Sequence, residues 1–112
     1  MRPSIGARAA KTSASVFAAL GDETRLRLVS RLCEDGPLSI AKLTAGTEVT
    51  RQAITKHLHV LADAGLVRGT RDGRENVWEL EPRRLQVASE YLDLISKQWD
   101  DALDRLRVFL ER

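Results

Sequence analysis

A single cysteine, Cys33, stands in 112 residues, so no internal disulfide can form and nothing argues for an oxidising compartment. Aromatic side chains are scarce as well. Two Phe, two Trp and one Tyr leave the core to Leu, Val, Ile and Ala, as in helical domains. No apolar run approaches the ~20 residues of a membrane span. The stretch Val16-Phe17-Ala18-Ala19-Leu20, behind Arg2, Arg8 and Lys11, is too short and Ser-interrupted for a secretion signal. The chain is therefore expected to be soluble and cytoplasmic, with no membrane partner. Catalytic groupings are also missing: no Ser or Cys stands near a His and an Asp at a recognised spacing, there is no phosphate loop, and no paired acids are placed for a cleft. An enzyme is not expected. The length suffices for one small core and not for two.

What is present is unevenly distributed charge. The formal net charge of +2 conceals segments of +3 (residues 1–11), −1 (12–49), +3 (50–74) and −3 (75–112). A local basic patch matters more for phosphate binding than the total does. The second basic segment coincides with the most organised stretch of the chain, Thr50 to Val67. Thr50 can accept a hydrogen bond from an orphan amide at a helix start, and Gly65 can take the left-handed conformation that ends a helix. A helix of about fourteen residues fits between them. Ile54, Leu58 and Leu61 recur at i, i+4, i+7 and form one stripe, while Arg51, Gln52, Thr55, Lys56 and His59 fall opposite. That polar face carries no carboxylate before Asp63, whereas an ordinary solvated face mixes Glu with Lys. Two cations, an amide, a hydroxyl and an imidazole are the groups that bond phosphates and base edges in a major groove, so this helix reads as one that lies on DNA.

The flanking segments give that helix a setting. Residues 1–9 read as a flexible basic tail, and the single domain is expected over 10–112. A first helix runs from about Ala10 to Leu20, with Val16, Phe17 and Leu20 as its apolar edge, and Gly21 stops it. Asp22 caps a second helix, Glu23 to Cys33, whose Leu26, Val29 and Leu32/Cys33 point inward while Arg25, Arg27 and Arg31 point elsewhere. On that stripe Cys33 reads as a buried, inert thiol and not a redox sensor. Ser39 caps a short third helix to about Ala45 that buries Ile40 and Leu43. Gly46 closes it, and Thr47-Glu48-Val49 leads into Thr50, which completes a helix-turn-helix. Leu66 to Arg71 and Glu75 to Leu80 are strand-like runs joined through Asp72-Gly73, a strong hairpin signal. Such a hairpin is a wing, able to lay Arg71 and Arg74 on the backbone or in the minor groove.

Pro82 opens the last element, and no breaker follows between residues 83 and 112. A helix of that length spans about 40 Å. Leu85, Ala88, Leu92, Ile95, Trp99, Ala102, Leu106 and Phe109 step alternately by three and four, a heptad seam widened by Tyr91, Leu94, Leu103 and Leu110. That is more apolar surface than a compact monomer covers, so residues 83–112 are expected to be a dimerisation helix meeting a second copy of the chain. Glu90, Asp93, Asp100, Asp101 and Asp104 lie off the seam and keep this end away from phosphates. Winged helices also serve as protein-interaction modules; here the acid-poor face at Thr50–His59 argues for DNA.

Two stretches resemble the ArsR/SmtB family of bacterial winged-helix repressors. Leu20-Gly21-Asp22-Glu23-Thr24-Arg25-Leu26-Arg27-Leu28 is similar to its L-x-D-x-T-R-x-x-I/L opening. Thr50 to Val67 is similar to its S-x-x-x-V-S-x-H-L-x-x-L-x-x-A-G-L-V signature, with Ile54, Thr55, His57, Leu58, Leu61, Ala64, Gly65, Leu66 and Val67 in register. The resemblance implies a mainly α (α+β) winged helix-turn-helix of about five helices plus a two-stranded β-hairpin wing. It further implies a homodimeric repressor, joined through its first and last helices, on an inverted-repeat operator in double-stranded DNA. Arg51, Gln52, Thr55 and Lys56 would reach the major groove, with Thr50 and His59 nearer phosphate. The dimer interface is expected to include Val16, Phe17, Leu85, Leu92, Ile95, Trp99, Leu106 and Phe109. The family's metal ligands do not carry over. The cysteines of its C-V-C-D-L motif fall at Ser39 and Ala41, residues 83–112 contain no histidine, and His57 and His59 are two apart on a helix and diverge. No metal site and no cofactor are expected, and the motifs name no inducer.

Overall fold

The computed structural model describes residues 6–111. In chain order the elements are α1 (Ala7–Leu20), α2 (Glu23–Asp35), β1 (Leu38–Ser39), α3 (Ile40–Thr44), α4 (Arg51–Asp63), β2 (Val67–Asp72), β3 (Glu75–Leu80) and α5 (Pro82–Leu110). α1 starts three residues ahead of the Ala10 read from the sequence, because Ala7, Arg8 and Ala9 are strong helix formers. Residues 7–9 of the expected tail thus belong to α1, and residues 1–5 of it lie outside the described residues.

Local chemistry sets the helix boundaries. The Asp22 carboxylate accepts from the backbone N–H of Arg25 at 3.0 Å, the Ser39 hydroxyl from that of Lys42 at 3.2 Å, and the Thr50 hydroxyl from that of Ala53 at 3.1 Å. Each expected N-cap is therefore made. α2 turns its stripe differently from the expectation. Leu28, Val29 and Leu32 are buried, Leu26 is half exposed and Cys33 is exposed. Leu32 takes the inward position, and Cys33, about 100° further round the helix, is left facing out.

The sheet holds a strand that the sequence did not announce. β1 pairs antiparallel with β3 through Leu38↔Trp78 and Ser39↔Val77, giving the order β1-β3-β2 in place of a two-stranded hairpin. Two residues are too few to display the alternation by which a strand is recognised. The core lies where α1 to α4 meet this sheet: Val16, Leu43, Ile54, Leu58, Leu61 and Leu66 are essentially inaccessible. Burying each such side chain contributes about 1.5–3 kcal/mol.

α5 runs from this body outward. Ala88 is buried where α5 packs on α1, but the apolar side chains beyond it are exposed, Ile95 to 40% and Phe109 to 69%. The resulting shape is long, 67 × 28 × 20 Å. Leu92, Ile95, Trp99, Leu106 and Phe109 are free at its surface, and Phe17 and Leu85 are partly buried against the core. Val16, expected at an interface, is fully buried in the chain's own core, where the first helix turns its apolar edge inward. No helix among the described residues is long and apolar enough to cross a membrane.

Candidate nucleic-acid interface

α4 is seated by Ile54, Leu58 and Leu61, all at most 1% exposed. With that stripe fixed, helical geometry turns Arg51, Gln52, Lys56 and His59 to solvent and leaves Thr55 half-buried, its hydroxyl donating to the Arg51 carbonyl at 2.8 Å. The wing lies alongside. Arg71 and Arg74 are exposed near its tip, where Gly73 adopts φ +64°, as the tight turn requires.

Electrostatics divide the basic residues into two groups. Arg68, on β2, donates to Glu79 at 2.7 Å and lies 3.6 Å from Glu81, and the Glu79 hydrogen bond raises its pKa further. Its charge is compensated within the fold. Arg51, Lys56, Arg71 and Arg74 have no ion-pair partner among the described residues. Four uncompensated cations thus stand on one helix and the adjoining hairpin.

Between α4 and the wing is an open cleft of about 520 Å³, walled by Arg51, Thr55 and His59 on one side and Thr70, Arg71 and Asn76 on the other. Among the described residues no carboxylate lines it. Trp78 forms its floor and meets the His59 ring edge-on, with centroids 5.8 Å apart and planes at 83°. Trp78 also lies over its cross-strand neighbour Gly69, where an added Cβ would come within 3.2 Å of the indole. His59, expected near phosphate, is thus in contact with the wing through Trp78.

His57, which the sequence offers no partner as a metal ligand, lies between Arg25 and Asp22. Arg25 donates from Nη1 to His57 Nδ1 at 3.3 Å and from Nε to the Ala19 carbonyl at 2.6 Å, while Asp22 Oδ2 lies 3.9 Å from the same imidazole nitrogen. The backbone hydrogen bond from Arg25 lowers the Asp22 pKa, aided by the charge of the Arg25 guanidinium. The two histidines thus face different partners, Arg25 and Trp78. Among the described residues no three His, Cys, Asp or Glu side chains gather as a metal site. Arg84 was also missed: from the first turn of α5 it reaches the Ala64 carbonyl at 3.3 Å and lies against Gly65.

Comparison with known proteins places this arrangement. A helix-turn-helix domain family matches residues 20–70. Over 69 residues, 56% of this chain and 75% of the relative, the chain is 44% identical to YuzN, an HTH-type transcriptional regulator of Bacillus subtilis. An arsenical resistance operon repressor of the same organism is 34% identical over 83 residues, 73% of this chain and 79% of that one. Among solved structures, an ArsR-like transcriptional regulator from Rhodococcus sp. RHA1 matches with a TM-score of 0.74 at 35% identity, covering 88% of this chain and 92% of its own. The chain belongs to the ArsR/SmtB family of winged helix-turn-helix, DNA-binding transcriptional regulators.

Proposed function

We propose that two copies of this chain form a cytoplasmic repressor that binds an inverted-repeat operator and blocks transcription there. The observation that carries this reading is the set of cations without ion-pair partners among the described residues, Arg51 and Lys56 on α4 and Arg71 and Arg74 on the wing, beside an Arg68 that is already paired with Glu79 and Glu81. Arg51, Gln52, Thr55 and Lys56 read base edges, Thr50 and His59 lie at the flanking phosphates, and Arg71 and Arg74 follow the backbone beyond. The exposed seam of α5, Leu92, Ile95, Trp99, Leu106 and Phe109, supplies the contact with the second copy. A two-fold axis then sets the two α4 helices in successive major grooves, about 34 Å apart. Repression is the activity named for the arsenical resistance relative, which supports the same role here.

We infer further that this repressor belongs to a branch that does not sense metal. At the positions of the family's thiolate pair, Ser39 is buried and occupied as the cap of α3, and Ala41 has no donor.

The test is a gel shift with the DNA upstream of its own coding sequence at two salt concentrations, paired with light scattering of the free protein. A dimer that retains an upstream fragment over random duplex, and loses affinity steeply with salt, supports the reading. A stable monomer, or equal affinity for all duplexes, contradicts it.

A further inference from the structure

We propose that Arg25 and His57 are positioning residues for operator recognition, forming a clasp that fixes the roll of α4 about its own axis. The proposal rests on the reading of α4 as the helix that enters the DNA.

One guanidinium joins three helices. Arg25 belongs to the first turn of α2, its Nε–H is donated to Ala19 near the end of α1, and its Nη1–H is donated to His57 in the middle of α4. The group is partly buried, and its own backbone N–H is held by the Asp22 carboxylate, so the donor is anchored at its base as well as its tip. His57 is the residue next to Leu58 and sits on the flank of the buried stripe. Aliphatic packing through Ile54, Leu58 and Leu61 sets which face of α4 is buried but is non-directional, and so leaves small rolls about the helix axis less closely determined. A hydrogen bond at the flank is directional and removes that freedom.

The consequence falls on Lys56, His57's immediate neighbour, and on Arg51, Gln52 and Thr55 around the same helix. Discrimination between bases depends on bidentate geometry and is lost when side chains are displaced by fractions of an ångström, whereas attraction to phosphates tolerates such displacement. The clasp therefore governs selectivity and leaves general affinity for duplex unchanged. Because an arginine can only donate, His57 must present a bare Nδ1 and carry its neutral proton on Nε2.

The experiment compares His57→Leu and His57→Asn with the wild-type chain, using an operator selected by the wild type from randomised duplexes, and a random duplex as reference. Leucine removes the acceptor; asparagine restores one, with Oδ1 near the place of Nδ1. His57→Leu is expected to lower the operator-to-random affinity ratio about tenfold, with affinity and salt slope on random duplex unchanged, and His57→Asn to recover most of the ratio. Nitrogen NMR of the free wild type is expected to find the Nε2–H tautomer. An unchanged ratio in His57→Leu, an asparagine variant no better than leucine, equal losses on both duplexes, or an Nδ1–H tautomer would each overturn the clasp. A wild type that selects no operator at all would overturn the reading of α4 first and this proposal with it.

Discussion

Arg25 donates a hydrogen bond to His57 across 3.3 Å, and through it the two sequence signatures of the chain, Leu20–Leu28 and Thr50–Val67, come into contact. Thirty-two residues separate the partners along the chain. One signature supplies the donor and the other the acceptor of a link between α2 and α4. Arg51 and Lys56 stand on the helix so linked, and the consequences of altering it can be measured.

Arg51→Ala and Lys56→Ala are each expected to weaken operator binding by about 1–3 kcal/mol, Arg51→Ala with a changed base preference. Titration of each variant against the operator and its single-base variants checks both. Unchanged affinity in the pair would remove α4 from the interface.

On the wing the contrast lies between Arg74 and Arg68. Arg74→Ala should weaken binding to every sequence and reduce the slope of log affinity against log salt by about 1, since an unpaired cation releases counterions from DNA when it binds. Arg68→Ala should leave the slope nearly as it is, because Glu79 and Glu81 already occupy that guanidinium. Equal slopes in the two variants would contradict this division of the basic residues.

Gly65 answers to two demands at once. Its φ is +77°, and a Cβ added there would stand 2.6 Å from Arg84 Cδ. Gly65→Ala is expected to cost about 1–2 kcal/mol from the left-handed backbone, and more from displacing Arg84 off the Ala64 carbonyl. Thermal unfolding should show a fall of roughly 5–10 °C. Adding Arg84→Ala should recover part of that loss; Gly73→Ala, where φ is +64° and the space is open, should lose less than Gly65→Ala.

Acid should act through Asp22. Its pKa is lowered from the ordinary 3.8, chiefly by the backbone hydrogen bond from Arg25, so its carboxylate contributes stability above the unfolded value that is lost as pH falls through the folded one. The stability difference between wild type and Asp22→Asn is therefore expected to be constant near neutral pH and to shrink below about pH 4. Urea unfolding at a series of pH values measures it; a difference that grows on acidification would reverse the sign.

Much of this architecture is legible in single residues. Asp22, Ser39 and Thr50 announce helix starts because short polar side chains cap amides locally, and Gly65 and Gly73 announce turns because the needed φ is local too. Contacts between distant segments leave no such mark. Nothing in the order of letters joins Leu38 to Trp78, Arg84 to Gly65 or His59 to Trp78. The stripe of α2 was misplaced for a related reason: Leu26, Leu28 and Leu32 fit more than one helical face, and only packing against the other helices decides which is covered. At the candidate interface, charge and periodicity identified Arg51, Lys56, Arg71 and Arg74, while the internal neutralisation of Arg68 depends on the strand register that faces it with Glu79.

The Leu38–Ser39 strand ties the hairpin back to the start of α3, so the wing is no loose flap. Bending it away from a bound duplex would shear Trp78 from Leu38 and tug on the cap of the helix that precedes the turn. The hairpin and the start of the first helix of the helix-turn-helix thereby share one hydrogen-bonded sheet, so neither can be displaced without straining the other.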